Sequence, residues 1–391
     1  MSYAERIHNA LVAAGIEAEL RSPAPLFTHN AEIVLQRRYL IKGDDFVEHP
    51  DTMLYRVAHN IAWADRIYGA NDEQRLVTTN EFYDVMRRLD FLPNSPTLMN
   101  AGRDLQQLSA CFVLPVEDSL DSIFTSIKET AKIHQSGGGT GFSFSHLRPE
   151  GDIVGSTGGI ASGPISFMRA FDVATDVVKQ GGFRRGANMG ILDVTHPDIL
   201  KFIEAKAGGQ NLLNFNISVA VTDNFMQRVE RDQDYDLVNP RTGQVTGQLN
   251  AQDVFARIAE MAWLTGDPGI LFMDRINWDN PNPQLGSIES TNPCGEQPLL
   301  PYESCTLGSI NLARMVRDQS MHWEHLARTI DTAVHFLDNV IDMNSYPTPQ
   351  VSEMQKKTRR IGLGVMGFAD MLIQLGVPYD SKDAHNIATV L

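Results

Sequence analysis

Residues 292–312 read NPCGEQPLLPYESCTLGSINL, and this stretch holds two of the chain's three cysteines, Cys294 and Cys305. A carboxamide, Asn292, and a carboxylate, Glu296, flank Cys294 at alternate positions. Side chains of an extended segment alternate between faces, so positions 292, 294 and 296 are expected on one side, aimed at a shared target. The third cysteine, Cys111, lies in the apolar run Ser109-Ala-Cys-Phe-Val-Leu-Pro115, which reads as a strand. A lone thiol is often a small buried hydrophobe. Two thiols this close to an acid and an amide, in a chain so sparing of cysteine, point instead to chemistry that uses them. Cys294 and Cys305 lack the Cys-x-x-Cys spacing of a zinc site and Cys111 is remote, so no metal is expected.

At 391 residues and 42% hydrophobic content, the chain can bury a sizeable core in one large domain and a smaller one. Its formal net charge of −15 argues against a nucleic-acid partner, since phosphate backbones are held by clustered Lys and Arg. A single nucleotide needs only a local site. One basic cluster in a glycine context is present, Lys179-Gln-Gly-Gly-Phe-Arg-Arg-Gly-Ala187. No segment approaches the roughly 18 uninterrupted apolar residues of a membrane span, and MSYAERIHNALVAAGIEAELRS at the N-terminus scatters its charges as no signal peptide does. A cytoplasmic protein with no membrane partner is expected. Three cysteines suit a reducing compartment, where any disulfide would be transient.

Helical periodicity shows twice before residue 92, in Met53/Val57/Ala58/Ile61/Ala64 and in Phe82/Val85/Met86/Leu89, separated by polar residues after Gly69. Pro93 and Pro96 close this region. From Leu108 strands and helices alternate: Cys111–Leu114 extended, a helix opened by Asp118-Ser-Leu-Asp-Ser, and a halt at Gly137-Gly-Gly-Thr-Gly141. Extended Phe142/Phe144, a helical stripe Phe167/Phe171/Ala174/Val178, and strands at 190–194 and 216–221 follow. A repeated strand–helix pattern of this length argues for an α/β barrel or a doubly wound sheet. The glycine run at 137–141 is followed by Phe and Ser rather than Lys-Ser/Thr, so it is not a nucleoside-triphosphate loop. Further helices are expected at 326–341, over Ile361 to Leu375, and at 382–391, where the apolar stripe runs to the final residue.

The 292–312 stretch resembles the active-site finger loop of ribonucleotide reductases, especially the adenosylcobalamin-dependent class. LPNSPTLMNAG (92–102), STGGIASGPISFMRAFD (156–172) and KQGGFRRGANMGILDVTHPDI (179–199) extend the resemblance in the order that family uses. It implies an α/β protein, with an N-terminal helical domain (1–105) followed by a ten-stranded α/β barrel (106–391) threaded by a central finger loop. The barrel is expected to be incomplete at its C-terminal end, through a split gene or truncation. The resemblance also assigns roles. Cys294 would carry the thiyl radical that abstracts the ribose 3′ hydrogen, Glu296 would act as base on the 3′-hydroxyl, and Asn292 would hold the hydroxyls. Cys111 and Cys305 would supply two electrons and close to a disulfide.

Ser95 and Ala110 join Asn292 as implied substrate contacts. Asp118 and Arg148 would bind a deoxynucleoside triphosphate effector, with Gln180 and Arg184 on the segment that answers it. The implied cofactor is adenosylcobalamin. Implied partners are a ribonucleotide substrate, a thioredoxin- or glutaredoxin-type reductant, a second copy of the chain, and a missing C-terminal segment or second polypeptide. Two alternatives remain open at this point. One is the large subunit of an oxygen-dependent reductase, disfavoured by the NPCGEQ wording and an N-terminus short for an ATP-binding helical cap. The other is a non-catalytic nucleotide-binding fragment active only in complex.

Overall fold

The structure, a computed structural model, describes residues 27–43, 47–153, 159–178, 186–209 and 211–391. Along the chain its strands are β1 (Phe91–Pro93), β2 (Cys111–Val113), β3 (Gly139–Ser143), β4 (Asn188–Asp193), β5 (Phe215–Val221), β6 (Asp234–Val238) and β7 (Val245–Asn250). There follow β8 (Gly269–Phe272), β9 (Ser290–Thr291), β10 (Pro298–Leu299), β11 (Ser304–Asn311), β12 (Val316–Arg317), β13 (Ser320–Met321) and β14 (Ile361–Met366). Two compact units result. Of the described residues, one contains those from 27 to 110, 305–346 and 359–391, and the other those between 111 and 304 and 347–358.

The first unit is mainly helical. Its Pro50–Ile61 helix starts on a proline, whose missing N–H would be unsatisfied there anyway, and its Asp72–Arg87 helix starts on a reciprocal Asn71/Gln74 capping box. The polar stretch after Gly69 separates them as the pattern predicts. Their apolar faces, with Met53, Val57, Phe82 and Met86, close on Phe91 and on Phe336, Leu337 and Val340 of the long Trp323–Met343 helix. Phe336 meets Phe82 edge-on at 5.0 Å and Phe91 at 5.5 Å, an arrangement aromatic quadrupoles favour. In the same unit β11 pairs antiparallel with β1 and parallel with β14.

The β14 pairing corrects an expectation. Ile361-Gly-Leu-Gly-Val-Met366 is strand rather than helix, and the helix is confined to Phe368–Leu375. Glycines at alternate positions disfavour a helix interior, whereas a strand register against Thr306–Asn311 accommodates them.

The second unit is built on five parallel strands in the order β2-β3-β4-β5-β8. Parallel neighbours need crossovers, and the Leu120–Gln135, Gly163–Val177, Ile199–Ile203 and Ala251–Thr265 helices lie in them. β4 and β5 are buried almost throughout, as strands covered on both faces must be. Phe142, Phe144, Phe171 and Phe215 form one aromatic cluster behind them, with centroids 4.7–6.4 Å apart. No helix among the described residues is long and apolar enough to cross a membrane.

Candidate active site

The Cys294 stretch is a hairpin in the second unit. β9 and β10 pair antiparallel, Thr291 opposite Pro298, and the chain reverses between Asn292 and Gln297. The Asn292 N–H donates to the Gln297 carbonyl at 3.1 Å, and Gln297 N–H returns to the Asn292 side-chain oxygen at 2.9 Å. Gly295 N–H closes the turn onto the Asn292 carbonyl at 3.1 Å, with φ of +84°, a conformation open to glycine and strained for other residues. The expected extended alternation is therefore wrong for this segment. Pro293 and Cys294 occupy a turn; Asn292 is fully buried, while Cys294 and Glu296 are exposed at the tip.

Three features seat the hairpin on the sheet. Asn216 in β5 donates its amide to the Pro293 carbonyl at 2.7 Å. In β3, a Cβ at Gly139 would lie 2.7 Å from the Pro293 ring. A Cβ at Gly141 would overlap the Thr291 carbonyl oxygen and stand 2.9 Å from its carbon. The glycine run read as a helix stop does stop the Leu120–Gln135 helix, through Gly137 at φ +95°, but its later glycines are strand residues over which the hairpin lies. Glycine inside a strand pattern marks such a close backbone approach, and that signal was available at Gly139-Thr-Gly141.

The fold brings Asn292 and Cys111 together from 181 positions apart: the Asn292 side-chain N–H donates to Cys111 Sγ at 3.3 Å. Cys111, Cys294 and Cys305 are all thiols; Cys111 and Cys305 are buried and Cys294 is exposed. The Cys305 carbonyl accepts from the N–H of Ala110, the residue preceding Cys111, at 3.2 Å. Ala110 is buried, and the half-buried Ser95 at the start of the Ser95–Asn100 helix shares a 2.7 Å hydrogen bond with the Tyr39 hydroxyl.

Asp118 and Arg148 also meet. The guanidinium grips the carboxylate through Nε at 2.8 and 3.0 Å and Nη2 at 2.8 Å, and the Arg148 backbone N–H adds a fourth bond at 3.2 Å. Ser119, not Asp118, caps the following helix, which leaves Asp118 for this pair. Gln180 and Arg184 lie outside the described residues.

His146, which the sequence did not single out, stands beside both features. Its Nε2 meets Glu289 at the base of the hairpin and its Nδ1 meets Glu117, each at 3.1 Å. The Glu289 hydrogen bond, seconded by Glu117 against partial burial, raises its pKa to about 9.

A ribonucleotide reductase barrel-domain model matches residues 109–391, and the all-alpha-domain model of the same enzymes matches 25–106. The chain belongs to the ribonucleotide reductase family. Its fold class is accordingly α/β, with a helical N-terminal domain ahead of the barrel domain. It is 49% identical to vitamin B12-dependent ribonucleoside-diphosphate reductases of Thermoplasma acidophilum, over 92% of this chain and 54% of that protein, and of Mycobacterium tuberculosis, over 98% and 55%. Against the ribonucleoside-diphosphate reductase large subunit of vaccinia virus, identity is 31% over 90% of this chain and 49% of the relative. The chain thus spans about half the length of the curated relatives it matches.

Proposed function

We propose that this chain carries the thiyl-radical centre of a vitamin B12-dependent ribonucleoside-diphosphate reductase. The Asn292–Cys111 hydrogen bond is the observation that carries this reading. It ties the base of the Cys294 turn to a second thiol, as a reaction needing both a radical sulfur and a reducing sulfur requires. The higher identity to relatives named vitamin B12-dependent than to the viral large subunit favours cobalamin over an oxygen-dependent subunit. Cys294 suits such a cofactor because its thiol is exposed on a hairpin anchored at Pro293, with no side chain at Gly295 to cover it. Bound adenosylcobalamin supplies the one-electron chemistry that converts this thiol to a thiyl radical.

The Cys294 sulfur then takes the 3′ hydrogen of the ribose as an atom and becomes a thiol. Glu296 accepts the 3′-hydroxyl proton while the 2′-hydroxyl leaves as water, carrying a proton from the Cys111/Cys305 pair. Two electrons and the second proton of that pair reduce the sugar at the 2′ carbon as the two thiols become a disulfide, Glu296 gives its proton back to the 3′ oxygen, and Cys294 returns the hydrogen atom to the 3′ carbon. The balance is ribonucleotide plus dithiol giving deoxyribonucleotide, disulfide and water. Glu296 is exposed, so a nucleotide laid over the turn would supply the desolvation a base needs. Both polar ends of the Asn292 amide are engaged, by Gln297 and Cys111, so holding substrate hydroxyls requires sharing or exchanging one of these bonds.

In this reading Ser95 lies near the substrate diphosphate, Ala110 is a further substrate contact, and Asp118 with Arg148 binds a deoxynucleoside triphosphate effector answered by Gln180 and Arg184. A thioredoxin- or glutaredoxin-type protein would re-reduce the disulfide. A second copy of the chain and the remaining half of the relatives' length complete the proposed assembly. The test is single-turnover formation of deoxynucleotide by prereduced full-length protein with adenosylcobalamin and a ribonucleoside diphosphate. Product equal to the protein's dithiol content supports the reading, and none refutes it.

A further inference from the structure

A chain of buried side chains crosses the second unit behind the hairpin. Thr175 in the Gly163–Val177 helix donates its hydroxyl to the Phe171 carbonyl at 2.8 Å, so it accepts from the Asn188 amide, 2.9 Å away. Asn188, in β4, therefore turns its oxygen to Thr140 of β3, which donates at 2.7 Å. The Thr140 proton is then committed, and His134 Nε2, at 3.1 Å, must be the donor to the Thr140 oxygen. Every donor direction is fixed from the end of the Leu120–Gln135 helix to the Gly163–Val177 helix. His134, Thr140 and Asn188 are fully buried and Thr175 is 4% exposed.

This assignment leaves His134 Nδ1 as an acceptor, for which the described residues supply no hydrogen-bond donor. A buried acceptor left open costs about 1–3 kcal/mol, so its retention calls for a reason. The ring presses on Gly186, where a Cβ would come 2.7 Å from Nδ1. The next carbonyl, of Ala187, accepts the Thr140 N–H at 3.0 Å. Burial lowers the His134 pKa to about 4 despite the opposing Ala187 carbonyl, so the ring is neutral at ordinary pH. Gly139, next to Thr140, lies under Pro293. The same ring thus touches the backbone leading into β4 and, one hydrogen bond on, the strand that seats the Cys294 turn.

We propose that His134 is a positioning residue that ties the Gly186–Asn188 backbone to the strand beneath the Cys294 hairpin, so that an effector's influence on substrate choice passes through this ring. The inference rests on the reading of Gln180–Ala187 as the segment that answers the effector. Coupling of this kind needs an element both sites can bias, and the element proposed is the His134 ring, packed on the Gly186 backbone and hydrogen-bonded to Thr140.

The experiment uses the full-length protein, with competing ribonucleoside diphosphates, and measures the product ratio with and without each deoxynucleoside triphosphate. His134→Phe fills the space without the hydrogen bond, and His134→Gln can still donate to Thr140. Thr140→Val, nearly unchanged in shape, cuts the chain one link further on, and Thr140→Ser keeps the hydroxyl. The Phe and Val variants should keep effector-free turnover and effector Kd within about threefold while the effector-driven shift in product ratio falls at least about fivefold. The Gln and Ser variants should recover most of it. Thr140→Val decides the matter should His134→Phe not fold. A full shift in folded Phe and Val variants, or equal losses of turnover and shift, overturns the inference alone. A wild-type product ratio indifferent to every effector overturns the effector reading, and this inference with it.

Discussion

Replacing Gly141 by alanine tests whether the glycines of β3 are a seat for the hairpin. Gly141 is a strand residue outside the positive-φ set, so its backbone accepts alanine, and loss of unfolded-state freedom alone would stabilise by about 0.4–1 kcal/mol. The new methyl, however, overlaps the Thr291 carbonyl oxygen and stands 2.9 Å from the carbonyl carbon, with Ser290 Oγ at 3.3 Å. The two Thr291 atoms belong to the backbone of β9 and cannot rotate aside. Relieving the overlap requires the base of the hairpin to lift by more than about 1 Å, and overpacking of this kind costs about 1–3 kcal/mol, so the overpacking term wins.

Cys294 sits three residues beyond Thr291 and moves with it. Misplacing a reacting group by about 1 Å costs on the order of 10²-fold in rate. Single-turnover reduction by prereduced full-length protein should therefore fall about 100-fold for Gly141→Ala, with only a few degrees lost in Tm. Gly139→Ala, which meets the edge of the Pro293 ring at 2.7 Å, should lose less, because a ring pucker can yield by a few tenths of an ångström. Gly208→Ala, with nothing within 4 Å, is the neutral control. Wild-type single-turnover rates for folded Gly141→Ala would refute the seating argument.

Cys111→Ser and Cys305→Ser should each abolish multiple turnover while leaving Cys294 able to form its radical, read by rapid-freeze spin resonance; normal multiple turnover in both would remove the reducing pair. Asp118→Ala should weaken deoxynucleoside triphosphate binding about tenfold or more by equilibrium dialysis, since it removes the carboxylate that holds the Arg148 guanidinium in place. His146 has a folded pKa raised to about 9, so its contribution to stability is complete below its unfolded value near 6.5 and is lost as pH rises through about 9. With His146 and both glutamates more than a third exposed, that contribution is below about 1 kcal/mol. His146→Gln should flatten the fall in Tm between these pH values, and an unchanged fall would assign it to other groups.

The sequence was most legible where chemistry and local periodicity coincide. Cys294, Asn292 and Glu296 stand out by residue type, and the helices at Pro50–Ile61, Asp72–Arg87 and Trp323–Met343 follow from apolar spacing. Asp118 and Arg148 were singled out only by resemblance, as effector contacts, and their ion pair is seen only in the structure; spacing alone would leave each an ordinary surface group. The extended finger failed because Gly295 and Pro293 favour a turn, which outweighs alternation over so few residues. Ile361–Met366 failed because an apolar run with interleaved glycines was read by composition, whereas its state is set by the distant partner strand β11. His134 and His146 were invisible for a related reason: their partners lie on other elements, and no local pattern marks a histidine as buried donor or as bridge.

The most direct test of the account is the fate of the substrate 3′ hydrogen in full-length protein with adenosylcobalamin and a dithiol. Wild-type protein given a 3′-deuterated ribonucleoside diphosphate should form deoxynucleotide more slowly than with the protiated substrate, and Cys294→Ser should form none while still binding effector. Turnover by Cys294→Ser, or a wild-type rate indifferent to deuterium at the 3′ position even in single turnover, would contradict the assignment of Cys294 as the radical that opens the reaction.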